Sequence, residues 1–193
     1  MPAPAEPATD ASVGVLLAPG FEEIEALAVV DALFRAGVRA DLISVEGTAD
    51  VVSSHGVRIG SDLALDDADL ASYAILFLPG GMPGTKNLSA NPVIGAEIDR
   101  RAAAGLPIAA ICAAPSILAE RGHLAGRTAT ANPGFMSVLE DAGAHTVLTP
   151  VALDGPIVTS RGAGTALDLG IALVALVRGE AEAERVATAL VHR

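Results

Sequence analysis

The feature that most constrains the fold is an alternation of short apolar runs with longer segments of helical periodicity. Apolar runs rich in Val, Ile and Leu are typical of strands buried on both faces of a sheet. They lie at Val13–Ala18, Ala40–Val45, Tyr73–Leu78, Pro107–Ile111 and, more briefly, Arg127–Ala131. Helices are predicted at Glu22–Ala36, Pro92–Ala104, Ala114–Arg121, from Asn132 to near Gly143, Thr165–Val177 and Ala181–Leu190. The pattern indicates an α/β fold with a mainly parallel sheet and helices on both of its faces.

Weaker signals complete this prediction. Residues 50–62 indicate a small hairpin or side strand, and Val147–Val151 with Pro156–Ser160 indicate a β pair around Asp154-Gly155. Asn91 before Pro92 predicts an N-cap followed by proline in the first helical turn. We expect residues 1–12 to form a disordered tail and residues 13–193 to form a single domain.

Composition excludes several classes of function. The chain has 193 residues and a net charge of -11, with 23 acidic against 12 basic residues. Such a surface repels phosphate backbones and anionic lipids, so neither nucleic acid nor a membrane is expected as a partner. The single cysteine excludes an internal disulfide framework and a zinc ribbon, and we expect no metal and no cofactor. No signal peptide or membrane span is evident, which favours a cytoplasmic protein.

The strongest chemical candidate is Cys112, which follows the apolar strand 107–111 and directly precedes a helix. This is the layout of a nucleophile elbow, with cysteine in place of serine. A helix N-terminus stabilises a thiolate, so we expect a thiol pKa below the free value of about 8.5. The small neighbour Ala113 permits close backbone approach. The alternative is a buried cysteine that serves only as a small hydrophobic residue.

Two other strand-to-helix junctions supply candidate partners. Glu25 heads an apolar helical stripe, and its burial predicts a raised pKa and a protonated carboxyl, whereas Glu22 and Glu23 fit a solvated first turn. Gly80 and Gly81 follow a strand, where their N–H groups form either an oxyanion hole or a plain tight turn. A fourth Gly-rich turn, residues 159–165, either lines the pocket or caps the following helix.

Together, the segments APGFEEIE, LPGGMPGTKNL, AAICAAP and TSRGAGTALDL resemble the ThiJ/PfpI superfamily, in its Parkinsonism-associated deglycase and glyoxalase branch, and the YajL-like proteins in particular. The resemblance runs from about Val13 to about Val191. It implies a flavodoxin-like three-layer sandwich and a homodimer. It also implies a reactive cysteine at Cys112, a protonated glutamate at Glu25, backbone donors at Gly80 and Gly81, and an arginine, Arg35, near the pocket and the dimer contact.

The sequence departs from that pattern at two positions. Asn132 stands where some members have histidine, and His55 replaces a basic residue. His55 either reaches the partner's pocket in a dimer or is a solvated surface residue. Ala113 follows the cysteine where peptidase-type relatives carry histidine, so a protease would lack its general base.

The leading hypothesis from the sequence is a cofactor-independent glyoxalase or deglycase that acts on small carbonyl compounds such as methylglyoxal. Cys112 is the expected nucleophile and Glu25 the expected proton donor and shuttle. One alternative is a hydratase of another small electrophile, such as an isonitrile. The other is a redox sensor or redox-regulated chaperone that works through oxidation of Cys112.

Overall fold

The computed structural model describes residues 7–192 of the chain. The first six residues of the predicted tail lie outside the described residues. The strands of the described chain are β1 (Ser12–Leu17), β2 (Arg39–Ser44), β3 (Asp50–Val52), β4 (Arg58–Gly60), β5 (Leu63–Ala64), β6 (Ile75–Leu78), β7 (Ile108–Ile111), β8 (Thr128–Ala129), β9 (His145–Thr146), β10 (Val151–Asp154) and β11 (Ile157–Ser160). Its α-helices are α1 (Glu23–Arg35), α2 (Gly84–Ala90), α3 (Pro92–Ala104), α4 (Pro115–Glu120), α5 (Met136–Asp141), α6 (Ala166–Arg178) and α7 (Glu180–Ala189).

The central sheet has seven strands in the order β10-β11-β7-β6-β1-β2-β5. Neighbouring strands run parallel, except that β10 and β11 are antiparallel. The two faces of the sheet belong to two separate apolar cores. One contains side chains of α1, α6 and α7, and the other contains side chains of α3, α4 and α5. The predicted flavodoxin-like α/β class, with helices on both faces, is confirmed.

The strand β1 shows why the apolar runs are continuous. Val13, Val15 and Leu17 pack into the first core, whereas Leu16 packs into the second. Because successive side chains point to opposite faces, a strand that is covered on both sides carries apolar side chains on both of its faces.

Several predicted elements differ from the structure. The strand expected at Val147–Val151 is instead β10, which begins at Val151 and pairs with β11 as a hairpin. Pro150 has no N–H to donate to a ladder, which accounts for this later start. The strand expected at Arg127–Ala131 is reduced to β8, which pairs with β9 outside the central sheet. Helix α2 is not predicted from the sequence, because its seven residues, GTKNLSA, show no apolar periodicity.

Other local predictions agree closely with the structure. Helix α3 has the predicted bounds, and the Asn91 side chain accepts hydrogen bonds from the N–H groups of Val93 and Ile94. The hairpin expected within residues 50–62 is the antiparallel pair β3 and β4. Within residues 7–192, no helix is both long enough and apolar enough to span a membrane.

Candidate active site

The candidate site lies where four neighbouring strands end. Glu25 follows β1, Gly80 follows β6, Cys112 follows β7 and Gly162 follows β11, and these strands are adjacent in the order β11-β7-β6-β1. Since the carboxyl ends of parallel strands lie at one edge of the sheet, the fold brings these residues together from distant parts of the chain.

Cys112 occupies a strained elbow between β7 and α4. Its φ angle is 64°, in the left-handed region that non-glycine residues rarely adopt. The surrounding backbone holds this conformation. Cys112 N donates to Ser160 O at 3.0 Å, and Asn132 N donates to Cys112 O at 2.9 Å. Backbone strain of this kind costs about 1–3 kcal/mol and clusters at functional sites.

Glu25 is buried beside the thiol, with 1% of its surface exposed. Its Oε2 accepts a hydrogen bond from Gly80 N at 2.8 Å, and a further side-chain hydrogen bond joins it to Cys112. Its own N–H donates to Glu22 Oε2 at 2.7 Å, so Glu22 is the N-cap of α1. Burial raises the pKa of Glu25 to about 7, against the opposing effect of the hydrogen bonds from Cys112 and Gly80.

The thiol pKa differs from the sequence-based expectation. Burial raises the pKa of Cys112 to about 12, and the neighbouring Glu25 carboxylate adds to this rise. Backbone hydrogen bonds from Gly81 and Ala113 act in the opposite direction but are outweighed. The prediction of a pKa below the free value is therefore wrong for a thiol that faces an ionised Glu25.

The hydrogen bond between the two groups makes them one titrating unit. Once the unit has lost its first proton, one proton remains for the carboxyl and the thiol. Moving that proton from sulfur to Glu25 creates a thiolate without changing the net charge of the site. Such a local transfer is a route to a thiolate that needs no loss of a proton to solvent.

The two glycines of the β6 junction have different roles. Gly80 N is bonded to Glu25, whereas the N–H of Gly81 contacts the Cys112 sulfur together with that of Ala113. A Cβ at Gly80 would lie 2.6 Å from both Cys112 Cβ and Glu25 Oε2, so only glycine fits there. The predicted diglycine pair thus divides into one donor that positions Glu25 and one that faces the sulfur.

The turn after β11 borders the same sulfur. A Cβ at Gly162 would lie 3.9 Å from both Cys112 Sγ and Glu25 Oε1, and 3.7 Å from Asn132 Nδ2. Thr165 Oγ1 accepts hydrogen bonds from the N–H groups of Arg161 and Gly162, which holds the turn closed. Of the two interpretations of this Gly-rich segment, the structure thus supports the pocket-lining one.

Asn132 lies at the site as a neutral neighbour. Its Oδ1 accepts a hydrogen bond from Gly134 N at 3.0 Å and caps the short 3-10 turn at Pro133–Phe135. A carboxamide has no proton to exchange near neutral pH, so Asn132 does not take over the acid–base role of a histidine.

Two other predicted site residues, Arg35 and His55, lie away from the cluster around Cys112 and Glu25 of the same chain. Arg35 ends α1, about 15 Å along the helix from Glu25, and pairs with Asp31 at 2.9 Å. His55 is exposed over 65% of its side chain and pairs with Glu23 at 3.1 Å. Ligand atoms of Glu22, Glu23 and His55 lie within 4.8 Å of one another, and His55 Nδ1 contacts the carboxylates of Glu22 and Glu23 at 3.9 Å and 3.1 Å.

Comparisons with known proteins identify the family. A family model described as the DJ-1/PfpI family matches residues 11–176. This chain belongs to the DJ-1/PfpI family. Its sequence is 36% identical to that of the Parkinson disease protein 7 homolog of Danio rerio over 181 residues, which cover 92% of this chain and 95% of the relative. It is 32% identical to the glutathione-independent glyoxalase DJR-1.2 of Caenorhabditis elegans over 173 residues, 89% of this chain and 91% of the relative.

The DJ-1/PfpI fold is also seen in solved structures. The crystal structure of DJ-1beta from Drosophila melanogaster matches with a TM-score of 0.91 and 31% identity, and covers 96% of this chain and 100% of that chain. The chain spans 36% and 47% of the length of two Arabidopsis thaliana relatives, the DJ-1 homologs B and A.

Proposed function

We propose that this protein is a cofactor-independent glyoxalase that converts reactive dicarbonyls such as methylglyoxal to 2-hydroxy acids. The observation that carries the proposal is the buried Glu25 carboxyl, which has a pKa of about 7 and a hydrogen bond to Cys112. A nucleophile paired with an acid that titrates near neutrality suits a reaction with both covalent and proton-transfer steps. The name of the Caenorhabditis elegans relative supports this class of reaction.

In the proposed mechanism, the Cys112 sulfur attacks the aldehyde carbon and a new C–S bond forms. Glu25 donates its proton to the former aldehyde oxygen, which gives a hemithioacetal. The Glu25 carboxylate then removes the hydrogen from that carbon and returns a proton to the neighbouring carbon. The hydroxyl proton passes to the former ketone oxygen, which leaves a thioester of the 2-hydroxy acid. Water cleaves the thioester, the sulfur regains its proton, and the net reaction adds one water to the dicarbonyl.

Backbone N–H groups support the charged states in this scheme. Those of Gly81 and Ala113 contact the sulfur and stabilise negative charge on it. The N–H of Gly80 holds Glu25 in place for both transfers. The mechanism requires a reduced thiol, and we therefore propose that the protein works in the reducing cytoplasm.

Lactate formation from methylglyoxal by the purified protein tests the proposal. We expect no lactate from Cys112→Ser, because the nucleophile is lost. Turnover should fall about 10²–10⁴-fold in Glu25→Gln, since the amide cannot exchange protons. Glu120→Gln, which alters an exposed carboxylate at the end of α4, is the matched control and should behave as wild type. Near-normal turnover by Glu25→Gln would refute the mechanism, and a wild type no faster than Cys112→Ser would refute the function.

A redox function is the second candidate, and the same half-buried thiol favours it. The backbone N–H groups at the sulfur and a protonated Glu25 would stabilise a sulfinate on Cys112. An internal disulfide switch is excluded because the chain contains one cysteine. Mass spectrometry after mild peroxide treatment distinguishes the two functions: a sensor accumulates a stable sulfinate at low peroxide without producing lactate from methylglyoxal.

A further inference from the structure

A second pocket adjoins the reactive sulfur on the side of the β11 turn. It has a volume of about 300 Å³ and is lined by Asn132, Pro133, Arg161, Gly162, Ala163, Gly164 and Thr165. Gly162 belongs both to this lining and to the surroundings of Cys112 Sγ. Gly162 therefore borders both the sulfur and this pocket, and Arg161 is the charged residue among those that line the pocket.

The guanidinium of Arg161 lacks an acidic partner in the described part of the chain. Seven other arginines, by contrast, pair with carboxylates: Arg35, Arg39, Arg100, Arg101, Arg121, Arg127 and Arg185. Arg161 Nη1 donates to Leu148 O at 3.3 Å, and its Nε is buried without any hydrogen-bond partner. An unsatisfied buried donor is costly, more so when it is charged, and a ligand acceptor would remove that cost.

The arrangement suits a carboxylate. A guanidinium presents its N–H groups in a fork that matches the two oxygens of a carboxylate. The pocket also lies at the N-terminal end of α6, where the helix dipole favours negative charge.

We propose that Arg161 is a specificity-determining residue that binds a carboxylate at the end of the substrate remote from the reacting carbonyl. Resting on the glyoxalase function proposed above, this assigns the enzyme to 2-oxoaldehydes that carry a carboxylate, in preference to uncharged ones such as methylglyoxal. The aldehyde carbon bonds to Cys112, the chain passes Gly162, and the carboxylate binds Arg161 in the second pocket.

Alkylation of Cys112 tests the anion site without requiring turnover. The bromoketones 5-bromo-4-oxopentanoate and 1-bromohexan-2-one both form an S–C bond with the Cys112 sulfur and release bromide. Only the first carries a carboxylate, at the end of the molecule remote from the sulfur. We expect Arg161→Met to lower the ratio of the 5-bromo-4-oxopentanoate rate to the 1-bromohexan-2-one rate by about 10-fold to 100-fold. The matched control is Arg39→Met, which removes the same charge at the start of β2, next to the edge strand β5 on the other side of the sheet, and should leave the ratio within about two-fold.

Arg161→Lys covers the case in which the Met variant does not fold. Lysine keeps the charge but lacks the planar fork, so its ratio should lie between those of wild type and Arg161→Met. An unchanged ratio in every Arg161 variant that folds would overturn the proposal. An equal fall in Arg39→Met would also overturn it, because it would show a general effect of net charge.

A turnover assay separates this proposal from the proposed function. The carboxylate-bearing substrate 4,5-dioxopentanoate and the uncharged 2-oxohexanal are compared by kcat/KM in wild type and Arg161→Met. The inference predicts a selective fall, about 10-fold or more, for 4,5-dioxopentanoate. If both substrates react and the variant slows them equally, the anion site is refuted and the glyoxalase stands. If neither reacts but the alkylation ratio still depends on Arg161, the glyoxalase is refuted and the anion site stands.

Discussion

At the scale of single residues, the proposed chemistry depends on the balance of forces on Glu25. Burial raises its pKa, and the hydrogen bonds from Cys112 and Gly80 oppose that rise without cancelling it. The resulting value of about 7 lets the carboxyl gain and lose a proton at neutral pH. An exposed glutamate, with its ordinary pKa, would be ionised permanently and would have no proton to donate.

This balance predicts how stability depends on pH. The folded protein keeps the Glu25 proton up to about pH 7, whereas the unfolded chain loses it near the ordinary value of 4.5. Because the folded state binds more protons between these values, its stabilisation from Glu25 is complete below about pH 4.5 and is lost as the pH rises through 7. Glu25→Gln should remove this decline, which amounts to about 1–3 kcal/mol.

Urea unfolding of both proteins at a series of pH values from about 4.5 to 7.5 measures this difference. Glu120→Gln, in which an exposed carboxylate is changed, should keep the wild-type decline. If the free energies of unfolding of wild type and Glu25→Gln changed with pH in parallel, Glu25 would be ionised in the folded protein over this whole pH range. That result would contradict the raised pKa.

At the scale of secondary-structure elements, the position of Glu25 depends on how closely α1 packs against α6. Gly170 in α6 makes this approach possible. A Cβ at that position would lie 2.8 Å from Ala32 Cβ and 3.2 Å from Val29 Cα, both in α1. Since Glu25 belongs to the first turn of α1, this distant glycine contributes to the geometry of the candidate site.

We therefore expect Gly170→Val to affect both stability and activity. The added side chain forces α1 and α6 apart, which should lower the free energy of unfolding by about 1–3 kcal/mol and reduce turnover. Thermal unfolding and the lactate assay, run on the same preparation, measure both effects. Leu176→Val introduces the same branched residue on the exposed side of α6 and should change both much less. Wild-type values for Gly170→Val would mean that this contact does not position α1.

At the scale of the whole molecule, exposed apolar side chains lie on α1 and the neighbouring hairpin. Ile24 and Phe34 of α1 are 54% and 40% exposed, and Val52 and Val57 of the hairpin are also exposed. Hydrogen bonds from Gly20 N to Val52 O and from Ser54 N to Phe21 O join the hairpin to the segment before α1. A group of exposed apolar residues is typical of a protein–protein contact. We propose that a second copy of the chain covers it and brings Arg35 and His55 to the dimer contact.

Sedimentation at micromolar concentration should accordingly give twice the chain mass of 19.3 kDa. Ile24→Glu should shift the protein towards the monomer, because it would place a charge inside the proposed contact. Leu148→Glu, which changes an exposed apolar residue outside α1 and the hairpin, is the control and should remain a dimer. A monomeric wild type would contradict the proposal and would remove any cross-subunit role for His55.

Much of this protein can be predicted from the sequence because the signals are local. Continuous apolar runs identify the buried strands, Asn91 and Pro92 mark the start of α3, and the strand-to-helix junction identifies the elbow at Cys112. Glu25 is predictable as a buried acid from its place on an apolar helical stripe. Each of these inferences needs only a few neighbouring residues.

Only the tertiary structure decided what depends on contacts between distant segments. The strand order places Gly162 against the Cys112 sulfur, and no local pattern links residues so far apart in the chain. The division of roles between Gly80 and Gly81, and the lack of an acidic partner for Arg161, likewise follow from packing. The direction of the Cys112 pKa shift is the clearest case. Sequence places the thiol at a helix start, which lowers its pKa, but the fold buries it against a carboxylate, and this larger effect raises it.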